Sequence, residues 1–158
     1  MRNNNFYIKE ASVDDSNVAI WNQELSQELK SAVFDLMNSS LFKLKKKNTG
    51  PYKILLKIVE WKLKINVFDF YDSSDLEIKI SLSSIRRIIR DYQIVCENYV
   101  EAIKTAPLKK IEAIDVGRRS IHDEGASCLM DLLNENIETN IDTTRRIFTL
   151  ISIIKHKI

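Results

Sequence analysis

The side chains best suited to chemistry lie within one stretch that is predicted to be helical, residues 108–134. It holds His122, one of only two histidines in the chain, together with the carboxyl groups of Asp115 and Glu124. A histidine titrates near neutral pH, so His122 with Asp115 or Glu124 nearby would suit general acid–base catalysis. A lone histidine on a helix also commonly makes a structural hydrogen bond, and the sequence leaves both interpretations open.

Arginines are the second group of candidates, and they cluster on three predicted helices. A guanidinium group presents a planar fork of N–H donors that matches two oxygens of a carboxylate or phosphate. The arginines predicted to bind an anionic ligand are Arg86 and Arg90 on the first of these helices, Arg118 and Arg119 on the second, and Arg145 and Arg146 on the third. The last two are predicted to lie in the first turn of their helix, where they oppose the helix dipole unless an anion offsets them.

Arg118 has two competing interpretations. It lies on a stripe with a spacing of three or four, which is predicted to face the core and otherwise holds Ile111, Ile114, Ile121, Gly125, Cys128 and Leu132. Because a buried charge needs a partner, Arg118 is either a clamp for Asp91 or Asp142 on a neighbouring helix, or a contact to an anionic ligand. Asp115 and Arg119 are predicted to form an ion pair, since they are four residues apart with the acid first.

Two glycines interrupt the same helix, Gly117 and Gly125. A glycine inside a helix costs about 1 kcal/mol relative to alanine and usually permits the close approach of another backbone or a ligand. Gly117 also belongs to a polar stripe of mostly small residues, with Ser120, Glu124 and Ser127. This stripe is either the floor of a groove or a solvent-exposed face.

Other catalytic and metal-binding patterns are missing from the sequence. Cys96 and Cys128 are the only cysteines and are not in a Cys-x-x-Cys spacing, so we interpret them as small core residues in a reducing compartment. Ser120, Ser127 and Cys128 are not at helical spacings that face His122, and His122, Asp123 and Glu124 diverge by about 100° per residue on a helix. There is no glycine-rich phosphate loop or nucleophile elbow. We therefore predict no metal site and no cofactor.

The elements that position these residues can be predicted from hydrophobic spacing. A strand is expected within residues 5–13, and a helix over residues 16–37, where apolar residues recur every three or four positions after Ser16 as N-cap. Three runs of alternating apolar and polar residues over 52–82 predict an antiparallel meander with one buried face, entered through a turn at 48–51. The lysine-rich segment 43–47 is predicted to be a solvated edge segment or, alternatively, a patch for an anionic partner.

The remainder is predicted to be helical, with helices starting at Ser83 or Ser84, at Leu108, and at Asp142 as N-cap. The first of them should end before Pro107, because the residue that precedes a proline is disfavoured in the helical region. The predicted fold class is α+β: a small antiparallel meander packed on one face by about four helices, with an all-helical C-terminal half. We expect one domain over 1–158, comprising a strand and helix (5–38), the meander (52–82) and a helical half (83–156).

Composition limits the classes of function. The chain has 158 residues, with 24 Lys and Arg against 22 Asp and Glu, so its net charge of +2 is too small for a bulk nucleic-acid or membrane binder. The longest apolar run, residues 147–154, is much shorter than the approximately 20 residues of a spanning helix. The first ten residues lack the apolar segment of a secretory signal. We expect a cytoplasmic protein with no membrane association.

A longer motif resembles a known family. The segment Glu112-Ala-Ile-Asp-Val-Gly-Arg-Arg-Ser-Ile-His-Asp-Glu-Gly125 looks like the signature of uncharacterised protein family 0262, a set of small bacterial proteins. Further matches lie at 50–52, 86–92, 96–103 and 145–151, so the resemblance covers most of the chain from about residue 30 onward. It implies a bacterial cytosolic protein, and it implies no activity, cofactor or site residue.

Three hypotheses about function remain. The favoured one is a non-catalytic binding or regulatory module whose arginine-rich helices engage an anionic ligand, RNA or an acidic protein surface. The first alternative is a small enzyme that uses His122 as acid and base while arginines hold an anionic substrate. The second is a structural protein–protein adaptor, and the sequence leaves a homodimer open.

Overall fold

A computed structural model describes residues 5–14, 23–38 and 41–155 of the chain. In chain order its elements are β1 (Ile8–Asp14), α1 (Gln23–Leu36), β2 (Phe42–Leu44), β3 (Tyr52–Val59), β4 (Lys62–Asp69), β5 (Ser74–Ser81), α2 (Arg86–Thr105), α3 (Leu108–Leu133), β6 (Ile137–Thr139) and α4 (Ile141–Ile154). A short 3₁₀ turn, Ser83–Ile85, leads into α2. The protein has the predicted α+β fold.

The main sheet contains the predicted meander. Strands β3, β4 and β5 pair antiparallel, with Ile54 opposite Val67 and Leu56 opposite Ile65, so the alternating apolar residues share one buried face. The N-terminal strand β1 adds to the outer edge of β3 in parallel, which makes the four-stranded sheet mixed rather than purely antiparallel. The parallel pairing requires a crossover between β1 and β3, and α1 lies within it.

A second, two-stranded sheet was not predicted. Strand β2 pairs antiparallel with β6, with Lys43 opposite Glu138. The C-terminal half is therefore not all helical as predicted, because β6 (Ile137–Thr139) lies between α3 and α4. The start of the lysine-rich segment is a paired strand with Phe42 and Leu44 buried, while Lys47 at its end bonds to Asp72 at 2.6 Å.

The helix boundaries follow the predictions with two corrections. The residues predicted to start the helix after the meander, Ser83 and Ser84, belong to the 3₁₀ turn, and α2 begins at Arg86 without a side-chain cap. Helix α2 ends at Thr105, two residues before Pro107. Helix α4 is capped by Asn140 and not by Asp142, because the Asn140 side chain accepts a hydrogen bond from the Thr143 N–H at 2.9 Å. The predicted start of the first helix at Ser16 lies outside the described residues, and α1 is described from Gln23 to Leu36.

One hydrophobic core joins the buried sheet face to the helices. Helix α4 is its most buried helix, since Thr143, Thr144, Ile147, Phe148 and residues 150–154 are all buried. Among the residues that the structure describes, no helix is long and apolar enough to cross a membrane.

The predicted buried stripe of α3 is only partly correct. It reaches the core through Gly125 and the half-buried Ile121, Cys128 and Leu132, all in the second half of the helix. The fully buried residues are Gly125 on the predicted stripe and Ala126, Leu129 and Leu133 beside it, and all four lie in the second half of the helix. Residues 108–124, the first part of α3, are all half-buried or exposed. Cys96 and Cys128 are half-buried residues at the margin of the core and not core residues.

Candidate functional site

Helices α1, α2 and α4 enclose a groove of about 660 Å³, to which α3 contributes only Arg118. Its apolar and aromatic lining includes Leu25 and Ala32 from α1, Tyr92 from α2 and Ile153 from α4. A groove of this volume lies within the range of about 300–1,000 Å³ that is typical of small-molecule sites. We refer to it as the helical groove.

Arg118 reaches the helical groove in a fixed orientation. Its Nε and Nη2 atoms lie 3.1 and 2.5 Å from Oδ1 of Asp115, one turn earlier on the same helix, and its guanidinium carbon lies 5.1 Å from the ring centroid of Tyr99. The predicted clamp onto Asp91 or Asp142 is therefore wrong. Arg118 is only half-buried, so a carboxylate on its own helix is a sufficient partner for its charge. The side chain remains 30% exposed.

Arg146 lines the same groove from α4. Within the part of the chain that the structure describes, it forms no ion pair, whereas its neighbour Arg145 is bound to Asp123 at 3.1 Å and to Asp142 at 3.2 Å. Adjacent residues on a helix point about 100° apart, which is why the two arginines have different surroundings. The charge of Arg146 is available to a molecule in the groove.

Two carboxyl groups stand on the α1 side of the groove, Glu28 and Asp35. Neither forms an ion pair with any described residue. The groove thus has a basic side, formed by Arg118 and Arg146, and an acidic side on α1. The acidic side could not be predicted from the sequence, because these residues lie on the polar face of an ordinary amphipathic helix and no motif marks them.

The other predicted arginines lie elsewhere. Arg119 is exposed and forms the predicted ion pair with Asp115, at 3.2 Å. Arg86 and Arg90 stack against Trp61, with guanidinium carbons 4.9 and 5.6 Å from its ring centroid. Of the six predicted ligand-binding arginines, the structure brings only Arg118 and Arg146 to the same groove.

His122 lies beneath the groove and does not line it. Its Nε2 atom is 2.8 Å from Oγ1 of Thr149, and its ring packs against Tyr92 and Phe148 at centroid distances of 5.1 and 5.3 Å. The Thr149 hydroxyl also lies 3.0 Å from the carbonyl oxygen of Arg145; when its proton is donated there, Nε2 of His122 is the donor to Thr149. Burial lowers the pKa of His122 below its usual value of 6.5, which favours the neutral ring.

The predicted acid–base partners are not assembled around His122. Among the described residues, no hydrogen bond or ion pair joins it to Asp115 or Glu124. The hydrogen bond from Arg118, and after it the charges of Arg118 and Arg119, lower the pKa of Asp115. Glu124 is exposed.

Two further groups line the groove on α2, the phenol of Tyr92 and the thiol of Cys96. Burial raises the pKa of both, so both stay protonated at neutral pH. A protonated thiol is a weak nucleophile, and Cys96 therefore lacks the activation that catalytic cysteines have. Across residues 5–14, 23–38 and 41–155, no three His, Cys, Asp or Glu side chains are grouped to hold a metal ion.

Comparison with known proteins identifies the family of the chain. The profile of an uncharacterised protein family, UPF0262, matches residues 5–157. The chain belongs to the UPF0262 family. A UPF0262 protein of Dinoroseobacter shibae is 38% identical, over 94% of this chain and 96% of its own length. UPF0262 proteins of Agrobacterium fabrum (36%, 98% of each chain) and Caulobacter vibrioides (35%, 93% of this chain and 91% of theirs) are similarly related.

The UPF0262 relatives carry no functional description in their names, so no site residue is transferred from them. No solved structure matches the chain.

Proposed function

We propose that this UPF0262 protein is a non-catalytic binding protein whose helical groove receives a small ligand with one anionic group and an apolar body. The observation that carries the proposal is that Arg118 and Arg146, from two different helices, line one groove with a largely apolar interior. An arginine pair of this kind suits a carboxylate or a phosphate, since each guanidinium offers several N–H donors in one plane.

The two arginines have different roles in the proposed site. Arg118 is held by Asp115 and Tyr99, so its side chain loses little conformational freedom when a ligand binds. Arg146 has no ionic partner among the described residues and supplies the uncompensated charge. The ligand's anionic group contacts Arg146 and the remaining N–H donors of Arg118.

The acidic side of the groove restricts the class of ligand. Glu28 and Asp35 repel a molecule that is anionic along its whole length, such as RNA, and accept hydrogen bonds from N–H or O–H groups. We therefore expect a small molecule with its anion at the α3–α4 side and hydrogen-bond donors or a positive charge at the α1 side. This argues against RNA or an acidic protein surface in the groove.

The state of the titratable groups favours binding over catalysis. His122 lies outside the groove with its ring between Tyr92 and Phe148, and Cys96 is protonated.

The half-buried thiols of Cys96 and Cys128, neither in a disulfide, support our expectation of a cytoplasmic location.

The test is a thermal-shift screen against nucleotides, phosphorylated metabolites, amino acids and small carboxylates. A ligand at about 100 times its dissociation constant stabilises the protein by about 2.7 kcal/mol, which for this size of domain raises Tm by roughly 5–10 °C. We expect Arg146→Ala to remove the shift, while Arg145→Ala, one residue away and outside the groove, keeps it.

A screen without any shift would contradict the proposal. A shift that persists in Arg146→Ala and in Arg118→Ala would also contradict it, since the ligand would then bind elsewhere. Circular dichroism of each variant checks that the fold is retained.

A further inference from the structure

A cluster of cations surrounds Trp61, at the turn between β3 and β4 and outside the helical groove. The guanidinium carbons of Arg86 and Arg90 lie 4.9 and 5.6 Å from its ring centroid, and Nζ of Lys155 lies 4.5 Å from it. These side chains come from the start of α2 and the residue after α4. We refer to Trp61, Arg86, Arg90 and Lys155 as the Trp61 cluster.

The arginines of the Trp61 cluster are not neutralised by ion pairs within the part of the chain that the structure describes. Arg86, Arg90 and the adjacent Arg87 form no ion pair with any described residue, and the first turn of α2 contains no acidic residue. The chain as a whole is almost neutral, at +2, so this concentration is not a consequence of a generally basic surface. Cations that lie this close repel one another, and an anionic partner would relieve the repulsion.

The indole ring prepares the arginines for a ligand. Attraction between a cation and the face of a tryptophan holds each guanidinium near the ring without using its N–H donors. Arg86 and Arg87 are exposed and Arg90 and Trp61 are half-buried, so these donors and part of the ring are accessible to solvent. A guanidinium that lies over an aromatic ring also presents its other face to a planar group such as a nucleobase.

We propose that the Trp61 cluster binds the phosphodiester backbone of single-stranded nucleic acid. Guanidinium forks match phosphate oxygens, and a guanidinium held over an aromatic ring offers its outer face for a base to stack on, as on surfaces that bind single strands. The site shares no residue with the helical groove, so this inference and the proposed small-molecule function succeed or fail separately.

The experiment measures fluorescence anisotropy of a labelled 16-nucleotide single-stranded RNA of mixed sequence against the full-length protein. The test variant is Arg86→Ala/Arg90→Ala. The matched control is Lys53→Ala/Lys79→Ala, which removes the same charge from two exposed lysines of the main sheet. We expect at least a tenfold loss of affinity in the arginine variant and less than a twofold change in the lysine control.

Salt dependence gives a second readout. If both arginines contact phosphates, the slope of log affinity against log salt concentration should become shallower by about 1.4 in the arginine variant, at about 0.7 per contact. Arg86→Lys/Arg90→Lys should keep most of that slope and lose part of the affinity, because a lysine keeps the charge but not the fork. Arg86→Gln/Arg90→Gln replaces the alanine variant if that protein does not fold.

Three results would overturn the inference. The first is wild-type protein that does not bind the RNA at about 50 mM salt. The second is an equal loss of affinity in the lysine control, which would mean that binding follows net charge alone. The third is displacement of the RNA by polyglutamate at the same concentration of charge, which would mean that the cluster binds polyanions without regard to phosphate.

Discussion

His122 and Thr149 are joined by a hydrogen bond of 2.8 Å between Nε2 and Oγ1, which connects the middle of α3 to α4. Thr149 lines the helical groove and His122 lies behind it. The histidine thus helps to position a groove residue and does not itself face a ligand. The most conspicuous catalytic candidate in the sequence therefore contacts a groove residue and is not itself part of the groove lining.

Stability should decline in mildly acidic solution because of His122. Its pKa is lower in the folded protein than the ordinary 6.5, so the unfolded chain binds a proton at a pH where the folded protein does not. The contribution of His122 to the free energy of unfolding is fully present above about pH 6.5, the pKa in the unfolded chain. It is lost as the pH falls through the pKa of the folded protein. Urea unfolding should show that the free energy of unfolding decreases less between about pH 7.5 and pH 5.0 for His122→Gln than for the wild type. Equal decreases in the two proteins would refute this.

The two helical glycines of α3 should respond in opposite directions to alanine. A Cβ atom at Gly125 would lie 2.3 Å from the ring of Phe148, so Gly125→Ala must displace a buried ring and should destabilise the protein by about 1–3 kcal/mol. A Cβ at Gly117 meets nothing within 4 Å, and Gly117→Ala should stabilise by up to about 1 kcal/mol. Denaturant unfolding of both variants checks the pair. A destabilised Gly117→Ala protein would show that this account of the helix is wrong.

Asp69 should be required for the turn that precedes β3. It is 1% exposed and accepts hydrogen bonds from the backbone N–H of Gly50 at 3.1 Å and of Tyr71 at 2.9 Å, and from the hydroxyl of Thr49. Asp69→Asn replaces one acceptor oxygen by a donor and should cost about 1–3 kcal/mol of unfolding free energy. The control Asp75→Asn, at an exposed position of β5, should change it by less than about 0.5 kcal/mol. Similar losses in both would argue against the specific role of Asp69.

Cys96 should react slowly with alkylating reagents, and more slowly still with a ligand in the groove. The thiol is half-buried and burial raises its pKa, so little thiolate is present at pH 8. In a Cys128→Ala background, mass spectrometry should record slower modification by iodoacetamide than for an unfolded sample. A ligand found in the thermal-shift screen should slow the modification of Cys96 further. A ligand that leaves the rate of modification unchanged would bind outside the groove.

Local spacing was sufficient to predict much of the secondary structure. The alternation over β3, β4 and β5 predicted both the meander and its buried face, and Pro107 marked the break between α2 and α3. The ion pair of Asp115 with Arg119 also follows from spacing on one helix. The family membership was likewise visible in the motif at 112–125.

The groove was decided by tertiary structure alone. Arg118 and Arg146 are far apart in sequence and line one groove only because their helices pack together, while Arg145, next to Arg146, is paired with Asp123. The packing of Phe148 from α4 against Gly125 of α3 is likewise a contact between elements that residue spacing alone does not specify. Residue spacing specifies which side chains share a face of one element. Which faces then meet depends on how the whole core packs, because burial free energy depends on contacts between elements that are distant in the chain.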